Sequence, residues 1–176
     1  MHVILMGAQG AGKGTQAARV APVLSLVHLS TGDLFRAAIA SGNELGQTAK
    51  GYLDRGELVP DDVTLGIVDH RLSEIAREPG VQGALFDGFP RTQAQAEGLD
   101  AMLRQRQERL AAVVEIQVPM DVLVRRLTGR RICERCGATY HIEFNPPREP
   151  GVCDVCGGAL IQRPDDQPEP IKRRLT

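Results

Sequence analysis

Nine residues, GAQGAGKGT at 7–15, restrict the possible folds more than any other part of this 176-residue chain. They follow an apolar run, HVILM at 2–6, and lead into a helix-compatible stretch that begins near Lys13 and continues through Val23. Strand, glycine-rich turn and helix in that order are the context of a phosphate-binding loop. The glycines let backbone N–H groups converge on phosphate oxygens, the helix N-terminus adds partial positive charge, and Lys13 can reach the terminal phosphates. The strict pattern has Ser or Thr directly after the lysine, whereas here Gly14 intervenes before Thr15. A plain glycine-rich turn is the alternative reading, and it has to supply glycines, lysine and both flanks by coincidence. The candidate phosphate ligands are Gly10, Ala11, Gly12, Lys13, Gly14 and Thr15.

The alternation recurs along the chain. LVHLS at 26–30 precedes a helix from about Asp33, ALFD at 84–87 precedes GFP, and VVEIQV at 113–118 precedes a helix opened by Pro119. Four apolar strands alternating with helices predict an α/β fold with a parallel sheet covered on both faces. Ser30 followed by Asp33 resembles a capping box, and Asp61 and Asp62 are placed to cap the helix that carries Val63, Ile67, Val68 and Leu72. Asp87 ends a buried strand, where its carboxylate is positioned to hold Mg2+ or its waters, with a capping role as the alternative. His28, inside an apolar run, reads as a satisfied strand residue rather than a ligand.

At about 150 residues per domain, the length allows one domain with a small insertion. The insertion is legible at 130–163, where composition changes: it holds all four cysteines and the NPP of 145–147. RPDDQPEP at 163–170 is too rich in proline to continue a helix and reads as a hinge. With 21 basic and 22 acidic residues the formal charge is -1, so no whole-molecule field draws the chain to nucleic acid or anionic lipid. Aromatic residues are 3% with no Trp, which leaves few platforms for stacking bases. Neither nucleic acid nor membrane is therefore an expected partner. No apolar run reaches the roughly 18 residues that span a bilayer, and the start lacks the pattern of a signal peptide, so a cytoplasmic protein is expected.

Cys133 and Cys136 form one CxxC, and Cys153 and Cys156 form a second sixteen residues later. This spacing matches a four-cysteine zinc site, each CxxC making a knuckle that aims two thiolates at one metal. Four sulfur ligands leave no open position, so the metal is expected to be structural. Iron fits the same spacing. Disulfides or redox pairs are the alternative, disfavoured in a reducing compartment. His141 is expected to pack within the insertion, because four cysteines already complete the site.

GAGKGT at 10–15, STGDLFR at 30–36, DGFPRT at 87–92 and RLTGRR at 126–131 together resemble the adenylate kinase family in order and spacing. The resemblance runs through essentially the whole chain. It implies a P-loop NTPase fold of three α/β/α layers, with a core at 1–29, 60–128 and 167–176, an AMP-binding flap at 30–59, and a lid at 129–166. It implies transfer of the terminal phosphoryl group of ATP to AMP with Mg2+, giving two ADP, by a monomer. Lys13, Arg91, Arg130, Arg163 and Arg174 are the implied catalytic residues. Arg126, Thr139 and Tyr140 join the phosphate loop and Asp87 on the ATP side. Thr31, Arg36, Glu57, Leu58, Val59, Gly88, Phe89, Pro90, Arg91 and Gln95, with Arg163 and Arg174, form the AMP side.

The physical requirement agrees, since phosphoryl transfer depends on positioning and on neutralising spread charge, for which arginines converge. Lys172, Arg173 and Arg174 fall in the first turn of any helix opened by Pro170, where positive charge opposes the helix dipole unless an anion binds. The amide of Gln95 can pair a donor and an acceptor with one edge of adenine; outside the motif it would be an ordinary helix-surface residue. Gln9 stands where the family loop commonly has Pro, and Pro164, Pro168 and Pro170 interrupt a segment usually free of them. The family pattern continues beyond Thr176 with the rest of a helix, a strand and a closing helix. The chain is thus expected to be a partial product with an exposed sheet edge and apolar surface. Three rivals remain: a kinase for another nucleoside monophosphate, a nucleotide-binding fragment without turnover, and a zinc-ribbon nucleic-acid module fused to a P-loop domain.

Overall fold

The computed structural model describes residues 1–42, 44–54, 58–163 and 166. Glu57 and Arg174, together with the expected return of the core at 167–176, lie outside the described residues. The described chain divides into two compact units, one of Met1–Met6 and Lys13–Ile116, the other of Gly7–Gly12 and the residues from Gln117 onward.

The first unit is built on four parallel strands in the order β2-β3-β1-β4. These are β1 (His2–Met6), β2 (Leu26–Ser30), β3 (Gly83–Asp87) and β4 (Leu110–Glu115), joined through α1 (Lys13–Val23), α2 (Thr31–Ser41), α3 (Glu44–Asp54), α4 (Asp61–Ile75) and α5 (Gln93–Gln105). The pleat sends alternate side chains to opposite faces. Val3, Leu5 and Leu85 join Ala17 and Ala21 of α1 on one face. Ile4, Ala84 and Phe86 join Val68, Leu72 and Ile75 of α4 and Leu99 and Leu103 of α5 on the other. The small alanines of α1 let that helix lie close to the sheet. A third cluster, Phe35, Ala49 and Val59 with Tyr52, Val63 and Ile67 against it, joins α2 and α3 to the start of α4.

Coverage of both faces holds for β1, β2 and β3 but not for β4. All six β4 residues are exposed. A groove of about 590 Å³ lined by Ile4, Met6, Leu99, Leu103, Leu110 and Val113 opens beside it. Among the described residues β4 is an edge of this sheet, with Leu110, Val113 and Val114 exposed. Its bounds also differ from the expected 113–118. The sequence from 116 onward stays apolar, but after Ile116 donates its backbone N–H to Met6 O at 2.9 Å the chain leaves the sheet.

α2 starts at Thr31, two residues before the sequence-based start, with Ser30 as N-cap accepting the Asp33 N–H at 3.4 Å. At α4 the cap differs from expectation. The N-cap position is Pro60 and no side chain bonds there, because the Asp61 carboxylate is engaged elsewhere.

The second unit contains α6 (Met120–Thr128) and a small antiparallel sheet ordered β6-β5-β7, from β5 (Arg130–Cys133), β6 (Thr139–His141) and β7 (Leu160–Ile161). α6 groups with the cysteine-bearing segment because its C-terminal turn is fastened there. Gln162 Nε2 donates to Thr128 O at 3.1 Å, Ile142 N–H donates to Gly129 O at 3.0 Å, and His141 Nε2 lies 3.2 Å from Arg125 O. His141 Nδ1 accepts the N–H groups of Glu143 and Phe144, both at 3.0 Å, and its ring stacks on Phe144, so this histidine serves packing.

Candidate active site and metal centre

Asp87 is the last residue of β3 and His28 is on the neighbouring strand β2; His28 Nε2 lies 3.2 Å from Asp87 Oδ2. The same oxygen would be 3.3 Å from a Cβ at Gly14, so the start of α1 runs directly against the carboxylate. A side chain in place of Gly14 would crowd that oxygen. The arrangement explains the glycine that interrupts the strict phosphate-loop pattern. One carboxylate oxygen held by an imidazole and facing the helix start fits a hard cation such as Mg2+, with Asp87 as the residue that would hold it or its waters.

After Asp87 the chain turns at Gly88, whose φ of +74° suits glycine and where a Cβ would approach Arg91 Nη2 to 2.8 Å. The Phe89–Pro90 peptide is cis. The Gly88 carbonyl then gathers two donors, Thr31 Oγ1 at 3.2 Å and Arg91 Nε at 2.6 Å. Phe89 is buried against Phe86, with ring centroids 5.8 Å apart, which anchors the turn in the core. Arg36 lies on the exposed side of α2 in an ion pair with Asp33. Thus Thr31, Gly88, Arg91 and Gln95 are brought together in the first unit.

Gln95, an AMP-side residue by resemblance, is only 3% exposed, unlike the helix-surface amide it would be outside the motif. Its Oε1 accepts the Arg91 backbone N–H at 2.8 Å, and its Nε2 donates to Asp61 Oδ1 at 2.8 Å. Thr92, the N-cap of α5, donates Oγ1–H to Asp61 Oδ2 at 3.0 Å and accepts Gln95 N–H at 3.1 Å. Val59 is buried, and its carbonyl accepts from Thr64 Oγ1 at 3.3 Å; Leu58 is exposed.

In the phosphate loop, Gly10 and Gly12 adopt φ of +83° and +101°. A Cβ on Gly10 would come within 2.8 Å of Leu127 Cγ, so α6 closes on the loop backbone. Arg126 Nη1 donates to Ala11 O at 3.3 Å, tying the same helix to the loop. Lys13 is the first residue and Thr15 the third of α1.

Arg130 makes a bidentate ion pair with Asp166, its Nε donating to Oδ2 at 2.7 Å. Asp166 is fully buried, and its N–H donates to Arg163 O at 3.0 Å. A planar guanidinium matched to a buried carboxylate is a fixed, oriented cation. Sequence reasoning treated Arg130 as a motif arginine and did not single out Asp166, which is 36 residues away.

The four cysteine sulfurs lie within 4.8 Å of one another. Cys133 Sγ and Cys156 Sγ are 3.4 Å apart, and Cys136 Sγ and Cys153 Sγ are 3.5 Å apart. For Zn–S bonds of about 2.3 Å, tetrahedral sulfurs stand about 3.8 Å apart, so the four thiols fit one tetrahedral metal. The Tyr140 hydroxyl hydrogen-bonds Cys153 Sγ at 3.5 Å and accepts Asp154 N–H at 2.8 Å. That hydroxyl holds the Cys153 thiol low, at about 6, and backbone N–H groups of the second knuckle assist. At Cys136 the Ala138 N–H lowers the thiol pKa, but the neighbouring thiols and burial outweigh it and push it up to about 12. Four thiolates cannot coexist here without a cation. Tyr140, implied as an ATP-side residue, thus has its hydroxyl turned to the cysteine cluster, while Thr139 is exposed.

Comparison with known proteins places the chain among nucleotide phosphotransferases of the nucleoside monophosphate kinase class. The family model described as "Adenylate kinase" matches residues 5–176. Adenylate kinase of Geobacillus sp. (strain WCH70) is 55% identical over 175 residues, 99% of this chain and 80% of the relative. Adenylate kinase of Staphylococcus aureus (strain Mu50 / ATCC 700699) is 53% identical over 176 residues, all of this chain and 80% of the relative. That of Staphylococcus epidermidis (strain RP62A) matches over the same lengths, also at 53%. The chain belongs to the adenylate kinase family.

Proposed function

We propose that this chain is an ATP:AMP phosphotransferase that converts ATP and AMP reversibly into two ADP. The observation that carries the reading is the acceptor cluster of the first unit, in which Thr31 and Arg91 meet on the Gly88 carbonyl beside the buried Gln95 amide. Arg91, Arg36 and, from outside the described residues, Arg174 hold the acceptor phosphate. Gln95 reads the base, with Thr31, Leu58 and Val59 also assigned to the acceptor side, as is Glu57 from outside the described residues.

Residues 10–15 hold the phosphates of ATP through backbone N–H groups, and Lys13 neutralises the terminal ones. Mg2+, with Asp87 as its protein carboxylate, supplies compensation of phosphate charge when bound. An oxygen of the AMP phosphate attacks the terminal phosphorus of ATP, the bond from that phosphorus to the bridging oxygen breaks, and ADP leaves. No protein nucleophile is required, so catalysis rests on position and charge. Arg126, Arg130 and Arg163 supply positive charge to the transferring group, with Arg130 oriented by Asp166.

The four cysteines hold a structural Zn2+. A reduced, metal-binding thiol set suits a cytosolic setting, and the chain acts there as a monomer. The test is ADP formation from ATP, Mg2+ and each of AMP, UMP, CMP and GMP. Turnover selective for AMP supports the reading. Equal use of another acceptor, or ATP binding without any turnover in folded, metal-loaded protein, overturns it.

A further inference from the structure

We infer that Asp61 is a positioning residue that fixes the donor–acceptor sense of the Gln95 amide and thereby sets the preference for an adenine acceptor. The inference rests on the reading of Gln95 as the residue that meets the acceptor base. A primary amide is nearly symmetric in shape, so its sense is set by its partners alone. Here the two partners differ in kind. The Asp61 carboxylate can only accept, which forces Nε2 towards it at 2.8 Å, and the Arg91 backbone N–H can only donate, which forces Oε1 towards it at 2.8 Å.

Flipping the amide would set a carbonyl oxygen against a carboxylate and an NH2 group against an N–H. With Gln95 buried, neither clash could be relieved by water. After both bonds form, Gln95 retains one amide N–H and one Oε1 lone pair. That pair matches the acceptor N1 and donor N6 of adenine. It mismatches guanine, whose corresponding edge presents a carbonyl and a ring N–H.

Asp61 is itself held from a second side, since Thr92 Oγ1 donates to its other oxygen at 3.0 Å while capping the helix that carries Gln95. The carboxylate is the first residue of α4, immediately after the flap. Flap, acceptor loop and base-reading helix therefore share one anchor.

Three variants test this: Asp61→Ala, Asp61→Asn and Gln95→Ala, each assayed for kcat and for KM with AMP, GMP and ATP. Asp61→Ala is expected to raise the KM for AMP about tenfold, leave the KM for ATP and kcat within about twofold, and shrink the AMP-to-GMP preference. Asp61→Asn keeps an acceptor oxygen for Nε2 and an NH2 that Thr92 Oγ1 can accept, so it is expected to restore most of both. In the Gln95→Ala background, Asp61→Ala should have no further effect on the KM for AMP. Three results overturn the inference: an unchanged KM for AMP in Asp61→Ala, parallel loss of kcat and of both KM values, or failure of Asp61→Asn to rescue. If Gln95→Ala raises the KM for AMP while Asp61→Ala does not, base reading by Gln95 stands and only the role of Asp61 falls. If neither moves it, the base reading falls and takes the inference with it.

Discussion

Removing the metal from the cysteine site should unfold the small sheet while leaving the parallel sheet intact. The apolar cluster of the small sheet contains Cys133, Tyr140 and Cys153, with Ala138, Cys156 and Leu160 against it. Three of these six are metal-site cysteines, so among the described residues the large apolar side chains in it are Tyr140 and Leu160. At about 1.5–3 kcal/mol each, they contribute about 3–6 kcal/mol. A four-thiolate zinc site contributes about 10–16 kcal/mol, so the metal dominates. Shared among four ligands, each thiolate is worth about 3 kcal/mol, and Cys153→Ser should weaken zinc binding about a hundredfold. Hydrogen exchange on zinc-loaded and chelated protein reads the result directly. Amides of Ile132, Cys133 and Leu160 should lose protection on chelation, while those of Ile4, Leu85 and Phe86 keep theirs. Equal protection of the small sheet after complete removal of the metal would refute the reasoning. The depressed Cys153 and elevated Cys136 thiols add a second readout: zinc binding at neutral pH must release protons, so apparent affinity should fall steeply as pH is lowered.

Other expectations follow from single positions. Lys13→Ala should lower kcat/KM about 10²- to 10³-fold with melting unchanged, measured by coupled ADP formation; a loss below tenfold would remove Lys13 from the transition state. Phe86→Ala, at a fully buried strand position, should cost about 3–5 kcal/mol in urea unfolding, and a cost under 1 kcal/mol would contradict the packing described. His2 is buried, its Nδ1 accepts the Ala84 N–H at 3.1 Å, and desolvation lowers its pKa below the ordinary 6.5 despite Glu108. The unfolded chain therefore binds the proton first. The contribution of His2 is complete above pH 6.5 and is lost as pH falls from there through the lowered value. Thermal melts from pH 7 to 4.5 should show His2→Leu less stable overall but with a flatter slope below pH 6.5; an unchanged slope would assign the acid sensitivity elsewhere.

Much of the core was legible because its signals are local. Strand, glycine turn and helix share one stretch of sequence at residues 2–23, and the continuous burial along β1 and β3 follows from apolar runs that meet helices on both faces of the sheet. The cysteine cluster was legible for the same reason, since each knuckle is four residues long. What escaped was set by distance along the chain. Asp61 looks like a cap beside Pro60, and only its partners 31 and 34 residues away reveal a different use. The motif carried Gln95 to the acceptor side, but its burial and its bonds to Asp61 and to the Arg91 N–H depend on residues the fold brings in. His28 meets Asp87 across 59 residues and Arg130 meets Asp166 across 36. β4 was displaced in sequence because LAA at 110–112 has weak strand propensity, while its register is imposed by pairing with β1, Val3 opposite Ala112 and Met6 opposite Glu115.

The central claim is that Arg91, Gln95 and the phosphate loop serve one phosphoryl transfer from ATP to AMP. It is tested most directly by following ADP in folded, zinc-loaded protein given ATP, Mg2+ and AMP, with AMP omitted as the control. The account predicts two ADP for each AMP consumed and negligible loss of ATP in the control, because terminal phosphoryl transfer needs the bound acceptor. ATP hydrolysis that proceeds equally without AMP, or no ADP from any nucleoside monophosphate, would contradict it.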